Sequence, residues 1–66
     1  MELRKGKKVL YKSPHGHTVL HTIIEVANGL VRVGTPSYSS YSALYGKEEF
    51  MKTFQAASRI DELLYA

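Results

Sequence analysis

The dipeptide Asn28-Gly29 stands between two β-branched runs, in TVLHTIIEVANGLVRVGT, and restricts the chain more than any other feature. A two-residue type I′ hairpin turn needs φ > 0 at both central residues, which Asn and Gly accept and β-branched residues resist. Such a turn also sets the register of the flanking strands. It pairs Ala27 with Leu30, Val26 with Val31, Glu25 with Arg32 and Ile24 with Val33. Ile24, Val26, Val31 and Val33 then share one face, and Glu25 meets Arg32 on the other. This division is what a half-buried hairpin requires.

Upstream, KKVLYK reads as a short strand flanked by Gly6 and by Ser13-Pro14, with His15-Gly16 completing a turn. Downstream, KEEFMKTFQAA is rich in helix formers, with Phe50 and Phe54 four apart on one helical face. The run from Ser58 to Asp61 matches a capping box opening IDELLYA. In one continuous helix Asp61 would fall inside the apolar stripe of Phe50, Phe54, Ala57 and Leu64, so two short helices broken near Ser58 fit better. The competing reading makes FMKTFQA a fourth strand of an SH3-like barrel. The expected fold is α+β: a three-stranded antiparallel meander, open to partial SH3-like closure, with short C-terminal helix or helices, in one domain over residues 1–66.

Sixty-six residues bury only roughly 60% of the surface that the unfolded chain exposes. With no cysteines, neither a disulfide nor a thiolate metal site compensates, which makes a homo-oligomer an expected remedy. No apolar run reaches the length of a membrane span, and MELRKGKKV lacks the apolar core of a signal peptide. The expected address is the cytoplasm, of a cell or of an infected host, with no membrane partner. The net charge of +3 is uneven. Arg4, Lys5, Lys7, Lys8 and Lys12 against Glu2 give the first twelve residues 5 − 1 = +4. A cationic end attracts phosphate, although a basic strand edge also serves simply to block aggregation.

The run Ser13-Pro14-His15-Gly16, the hairpin, and then Phe50-x-x-x-Phe54 together resemble a class of very small phage and prophage proteins. In that class an SH3-like meander is followed by a short helix with two phenylalanines. The resemblance spans roughly Tyr11 to Ala57, and the long tyrosine-serine segment after the third strand departs from it. It implies a viral accessory protein that acts by binding host factors or nucleotides used in host defence.

Metal binding and catalysis find little in the residues. His15, His17 and His21 share a parity, and His15 and His17 lie roughly 6.6 Å apart on an extended chain. His21 stands ~13 Å beyond His17, and a third ligand is missing. The bland reading is turn and surface histidines; a further one has them donate hydrogen bonds to an anion, with His17 as a candidate ligand residue. There is no cysteine, no nucleophile-elbow serine and no phosphate-cradling glycine loop. Glu48-Glu49 and Asp61-Glu62 are adjacent pairs that point apart on a helix. A non-enzymatic protein without cofactor is expected.

The segment TPSYSSYSALYG holds three tyrosines, four serines and no charge. Tyr gives a large amphipathic ring at low entropy cost and Ser gives small donors and acceptors, the chemistry of adaptable binding loops. Rings of this kind stack on nucleobases for roughly 1–3 kcal/mol each. As a helical turn, SYSALY would align Tyr38, Tyr41 and Tyr45, with Leu44 and Tyr45 anchoring it; the bland reading is that these rings cover an open sheet end. The expected ligand is an anionic nucleotide-type molecule. Arg4 or Arg32 would contact phosphate, Lys5 and Lys8 steer it, Tyr38 or Tyr41 stack on the base, and Ser40 bond to ribose or phosphate oxygens. A nucleic-acid strand and a host protein partner are the rival expectations.

Overall fold

The computed structural model describes residues 1–12, 14–35 and 38–65, with the side chains of 12 and 38–41 left aside. Its elements run β1 (Lys8–Lys12), β2 (Thr18–Ala27), β3 (Leu30–Thr35), β4 (Tyr38–Gly46), α1 (Lys47–Thr53), β5 (Phe54–Ala56) and α2 (Arg59–Tyr65). The strands form one antiparallel sheet in the order β4-β3-β2-β1-β5. The α+β class and the meander are as expected, but five strands replace three. β4 and β5 are the two edges, so the sheet of the described residues is open rather than closed.

The hairpin turn forms at Asn28 and Gly29, with φ of 53° and 76°. Ala27, Val26 and Glu25 pair with Leu30, Val31 and Arg32 as the turn dictates. The next pair differs from expectation: Val33 meets Ile23, not Ile24, because a bulge interrupts β2 between Ile23 and Glu25. Parity explains it. On the β1 side, Val9 pairs with His21 and directs His21 and Ile23 to the core face; on the turn side, Val26 opposite Val31 needs that same face. Residues 23 and 26 share a face only if one extra residue is absorbed between them. Ile24 is that residue and stands 40% exposed.

The core gathers Val9, Ile23, Val31, Val33, Phe50 and Phe54, with Leu3, Tyr11, Val26, Ala43 and Tyr45 packed against it. Leu10 and Leu20 are also buried. They alternate with Val9 and His21 and pair with each other, which puts them on the opposite, outer face.

The segment after β3 corrects two readings. Residues 38–46 form a strand, not a helical turn, so Leu44 and Tyr45 diverge: Tyr45 packs on the core and Leu44 is exposed. FMKTFQA divides, with helix ending at Thr53 and strand starting at Phe54. The Phe54 N–H donates to the Phe50 carbonyl while its own backbone is already extended, at φ −115° and ψ 155°. The two phenylalanines therefore stack, ring centroids 4.6 Å apart and 14° from parallel, but across a helix-strand junction instead of along a helix. The start of α1 is tied to the hairpin by the Lys47 N–H, which donates to the Gly29 carbonyl.

The capping box is present. Ser58 donates from N and Oγ to Asp61 Oδ2 at 2.9 and 3.0 Å, and the Asp61 N–H donates back to Ser58 Oγ at 3.2 Å. It opens α2, which packs against β2. No helix among the described residues is long and apolar enough to cross a membrane.

Phe50 is fully buried and meets both the stacked Phe54 and the aliphatic core. Phe50→Ala is expected to cost about 3–5 kcal/mol, a large part of the roughly 3–10 kcal/mol available to a chain of this size. Urea titration followed by circular dichroism should show Phe50→Ala largely unfolded. Met51→Ala, at an exposed helix position, should stay within about 0.5 kcal/mol of the parent.

Candidate functional site

The cationic residues expected to bind an anion occupy two neighbouring places. Arg4 and Lys5 lie in a turn closed by the Lys7 N–H donating to the Arg4 carbonyl at 3.2 Å. Gly6, at φ 89°, provides the left-handed residue that this turn needs. Gly6 N–H donates to the Ile23 carbonyl and Ile23 N–H to the Lys7 carbonyl, which fastens the turn to β2 at the bulge. An open hollow of about 620 Å³ results, lined by Leu3, Arg4, Lys5, Ile24, Glu25 and Val26.

The second place is the outer face of the sheet. Lys8 pairs with Thr22, and its Nζ donates to Thr22 Oγ1 at 2.7 Å. Thr22 pairs in turn with Gly34 on β3. Arg32 stands on this face two residues from Gly34, with its Nε 3.8 Å from Glu25 Oε1. Both side chains of that pair are substantially exposed, 41% and 65%, so it is screened and worth well under 1 kcal/mol. Such a long, wet contact leaves the guanidinium able to take a better anion. Strand spacing places Lys8 and Arg32 about 10 Å apart across the sheet and roughly 7 Å along it.

The β3–β4 ladder breaks opposite Gly34. Val33 pairs with Ala43 and Thr35 with Tyr38, so the four residues 39–42 stand against one residue of β3. Ser40 and Tyr41 fall in this loop-out and Tyr38 at its edge; their side chains lie outside the described residues. Bulges of this type re-aim side chains and recur beside binding sites. Thr35 Oγ1, next to the break, is buried with no hydrogen-bond partner among the described residues.

The fold thus brings Lys8 and Arg32 to one face of the sheet, Lys8 in the row that ends at the β3–β4 break and Arg32 in the neighbouring same-face row with Glu25 and Leu44. Arg4 and Lys5 sit on the β1 side of β2, with β2 and β3 between them and β4. His17 is exposed in the β1–β2 connection, apart from both places. Among the described residues no three of His, Asp and Glu come together as a metal-ligand group.

Sequence reasoning missed the buried His21. Its ring packs edge-on to Phe54 at 5.2 Å and to Tyr11 at 6.0 Å between centroids. Its Nδ1–H donates to the Val19 carbonyl at 3.1 Å, since a carbonyl can only accept. Burial lowers its pKa from 6.5, with the Val19 bond pulling the other way. Pairing with Val9 on the core face was the available signal, and it depends on the β1–β2 register.

Compared with known proteins, the chain matches no protein-family model, no curated protein and no solved structure.

The unfolded chain takes up a proton at His21 near pH 6.5, whereas the folded chain resists until lower pH. Stability is therefore expected to fall as pH drops through 6.5 towards the depressed folded value. Urea midpoints measured across that range should slope downward for the parent and less steeply for His21→Phe. Equal slopes would assign the effect to other groups.

Proposed function

We propose that this chain is a non-enzymatic binding protein that captures a phosphate-bearing nucleotide on the outer face of its sheet. The reading rests chiefly on one observation: Lys8 and Arg32 share that face next to the point, opposite Gly34, where the uncharged tyrosine-serine strand leaves the β3 ladder. Phosphates would lie between Lys8 and Arg32, the base would stack on Tyr38 or Tyr41, and Ser40 would bond to ribose or phosphate oxygens. Arg4 and Lys5, in the turn beside the β2 bulge and close to Glu25, would add attraction for the phosphates.

The connectivity adds to this reading. A meander followed by a helical turn and a short strand returning beside β1 has the order of an SH3-like barrel, and we take the sheet as an open relative of such barrels. Together with the resemblance to small phage proteins, this favours sequestration of a nucleotide that serves as a host-defence signal, in the cytoplasm of an infected cell. The basic N-terminal segment favours a second reading, an SH3-like module that tracks the backbone of a nucleic acid with Lys5, Lys7, Lys8 and Lys12.

Thermal shift and calorimetry with mono-, di- and cyclic nucleotides beside a short oligonucleotide distinguish the two. A ligand that binds only the folded chain raises its melting temperature by mass action. The expected responder is a small nucleotide whose affinity falls roughly 10- to 100-fold in Arg32→Ala or Lys8→Ala, the worth of a charge-assisted hydrogen bond. Glu25→Gln should tighten binding by releasing Arg32. An oligonucleotide response with steep salt dependence selects the nucleic-acid reading. A panel with no response abandons both in favour of a protein target.

A further inference from the structure

β2 is longer than the strand that flanks it on one side. It runs over ten residues, whereas β1 runs over five and pairs only with Thr18 to Thr22. Gly6 and Lys7 extend that cover to Ile23, and the Arg4–Lys7 turn carries the preceding chain away. From Ile24 onward the β1 side of β2 is therefore a sheet edge. Ala27 and Leu30 flank the two-residue turn as a hydrogen-bonded pair, so Val26, one residue earlier, directs its N–H and carbonyl away from β3. They point to the side that β1 leaves open, and among the described residues no hydrogen-bond partner meets them.

The hollow between the Arg4–Lys7 turn and the β2 bulge lies along this edge. Its apolar wall is made by Leu3 and Val26, which pack on the core, and by Ile24, which is exposed at the bulge. Arg4, Lys5 and Glu25 line it as well, a charge of 2 − 1 = +1. Open backbone groups beside an apolar wall are what an added strand requires: the edge takes its main-chain hydrogen bonds and the wall its alternate side chains. Direction then decides which end of that strand meets the cations. A segment laid antiparallel on this edge runs from Ala27 towards Ile24, in line with β1, which is itself antiparallel to β2. Its C-terminal end therefore arrives at the turn, where Arg4 and Lys5 can receive a carboxylate. The edge from Ile24 to Ala27 is only ~10 Å long, and Gly6 and Lys7 occupy the line beyond it. Such a blocked line suits a chain that ends there over one that continues. Glu25 on the rim repels a further acidic side chain, so the terminal residues of the occupant are neutral.

We propose that the β2 edge and the Arg4–Lys7 turn form a docking site for the free C-terminus of an extended, apolar segment of a partner protein. The site is separate from the outer face assigned to a nucleotide and does not depend on that reading. Suitable probes are N-acetyl tetrapeptides of threonine and valine, with valine last or second-last, each as the free acid and as the C-terminal amide. Titrated to millimolar concentration against the nitrogen-15-labelled chain, the free acids should shift the amide resonances of residues 3–6 and 24–27. They should also slow the exchange of the Val26 N–H with water. The amides should bind roughly 10-fold more weakly, the worth of one charge-assisted hydrogen bond. Arg4→Gln combined with Lys5→Gln, both at exposed positions, should erase the difference between acid and amide. Free acids that move no resonance, shifts centred instead on Thr22 and Arg32, equal binding of acid and amide by the parent, or a difference that survives in the double variant would each overturn the proposal.

Discussion

A single inserted residue in β2 reconciles the two halves of this fold. The Asn28-Gly29 turn and the pairing with β1 each impose a phase on β2, and those phases disagree by one. Without the bulge at Ile24, either Val26 or the pair of His21 and Ile23 would face outward, and the aliphatic core would lose one of its walls. The N-terminal turn is fastened to β2 at the bulge, and the hollow lined by Arg4, Lys5, Ile24 and Glu25 lies at that junction.

Against this background the aromatic residues divide the labour of a small core. Phe50 and Phe54 stack on one another, and Phe54 then takes Tyr45 and His21 edge-on and Tyr11 at a tilt. One ring thus links β5, β1, β2, β4 and α1. Aromatic pairs in such geometry contribute about 0.5–1.5 kcal/mol beyond the area they bury, a sizeable increment for a chain of 66 residues. Drawing a histidine into the cluster is the exception, since its burial favours the neutral ring.

Much of this was legible from local chemistry. The turn at Asn28-Gly29, three of four hairpin pairs and the Ser58–Asp61 box are short-range, and each is decided by residues within a few positions of one another. The bulge was hidden because Ile23 and Ile24 are identical in propensity, so only the distant pairing with β1 could choose between them. β5 was hidden because FQA follows helix formers without a break, and its strand conformation comes from Tyr11 and Val9 far upstream. The tyrosine-serine strand lacks the apolar alternation that marks a buried strand, and its partner β3 supplies the template. For the candidate site, the sequence could not tell that Arg4 and Lys5 lie in a turn beside β2 while Lys8 and Arg32 share the outer face of the sheet, because that placement is a matter of strand order.

The junction at Phe54 has a kinetic side. The β2–β3 hairpin closes over two residues, whereas the pairing of Val9 with Ala56 joins positions 56 − 9 = 47 apart. Loop closure over that span is the slowest entropic step the topology contains. β5 is only three residues long and enters the sheet directly from α1, so it has no independent means of finding its place. The last act of folding is then the arrival of α1 and β5 together as one rigid corner. Because that corner carries the buried Phe50 and Phe54, its detachment would open the whole aromatic interior and amount to global unfolding, not local fraying.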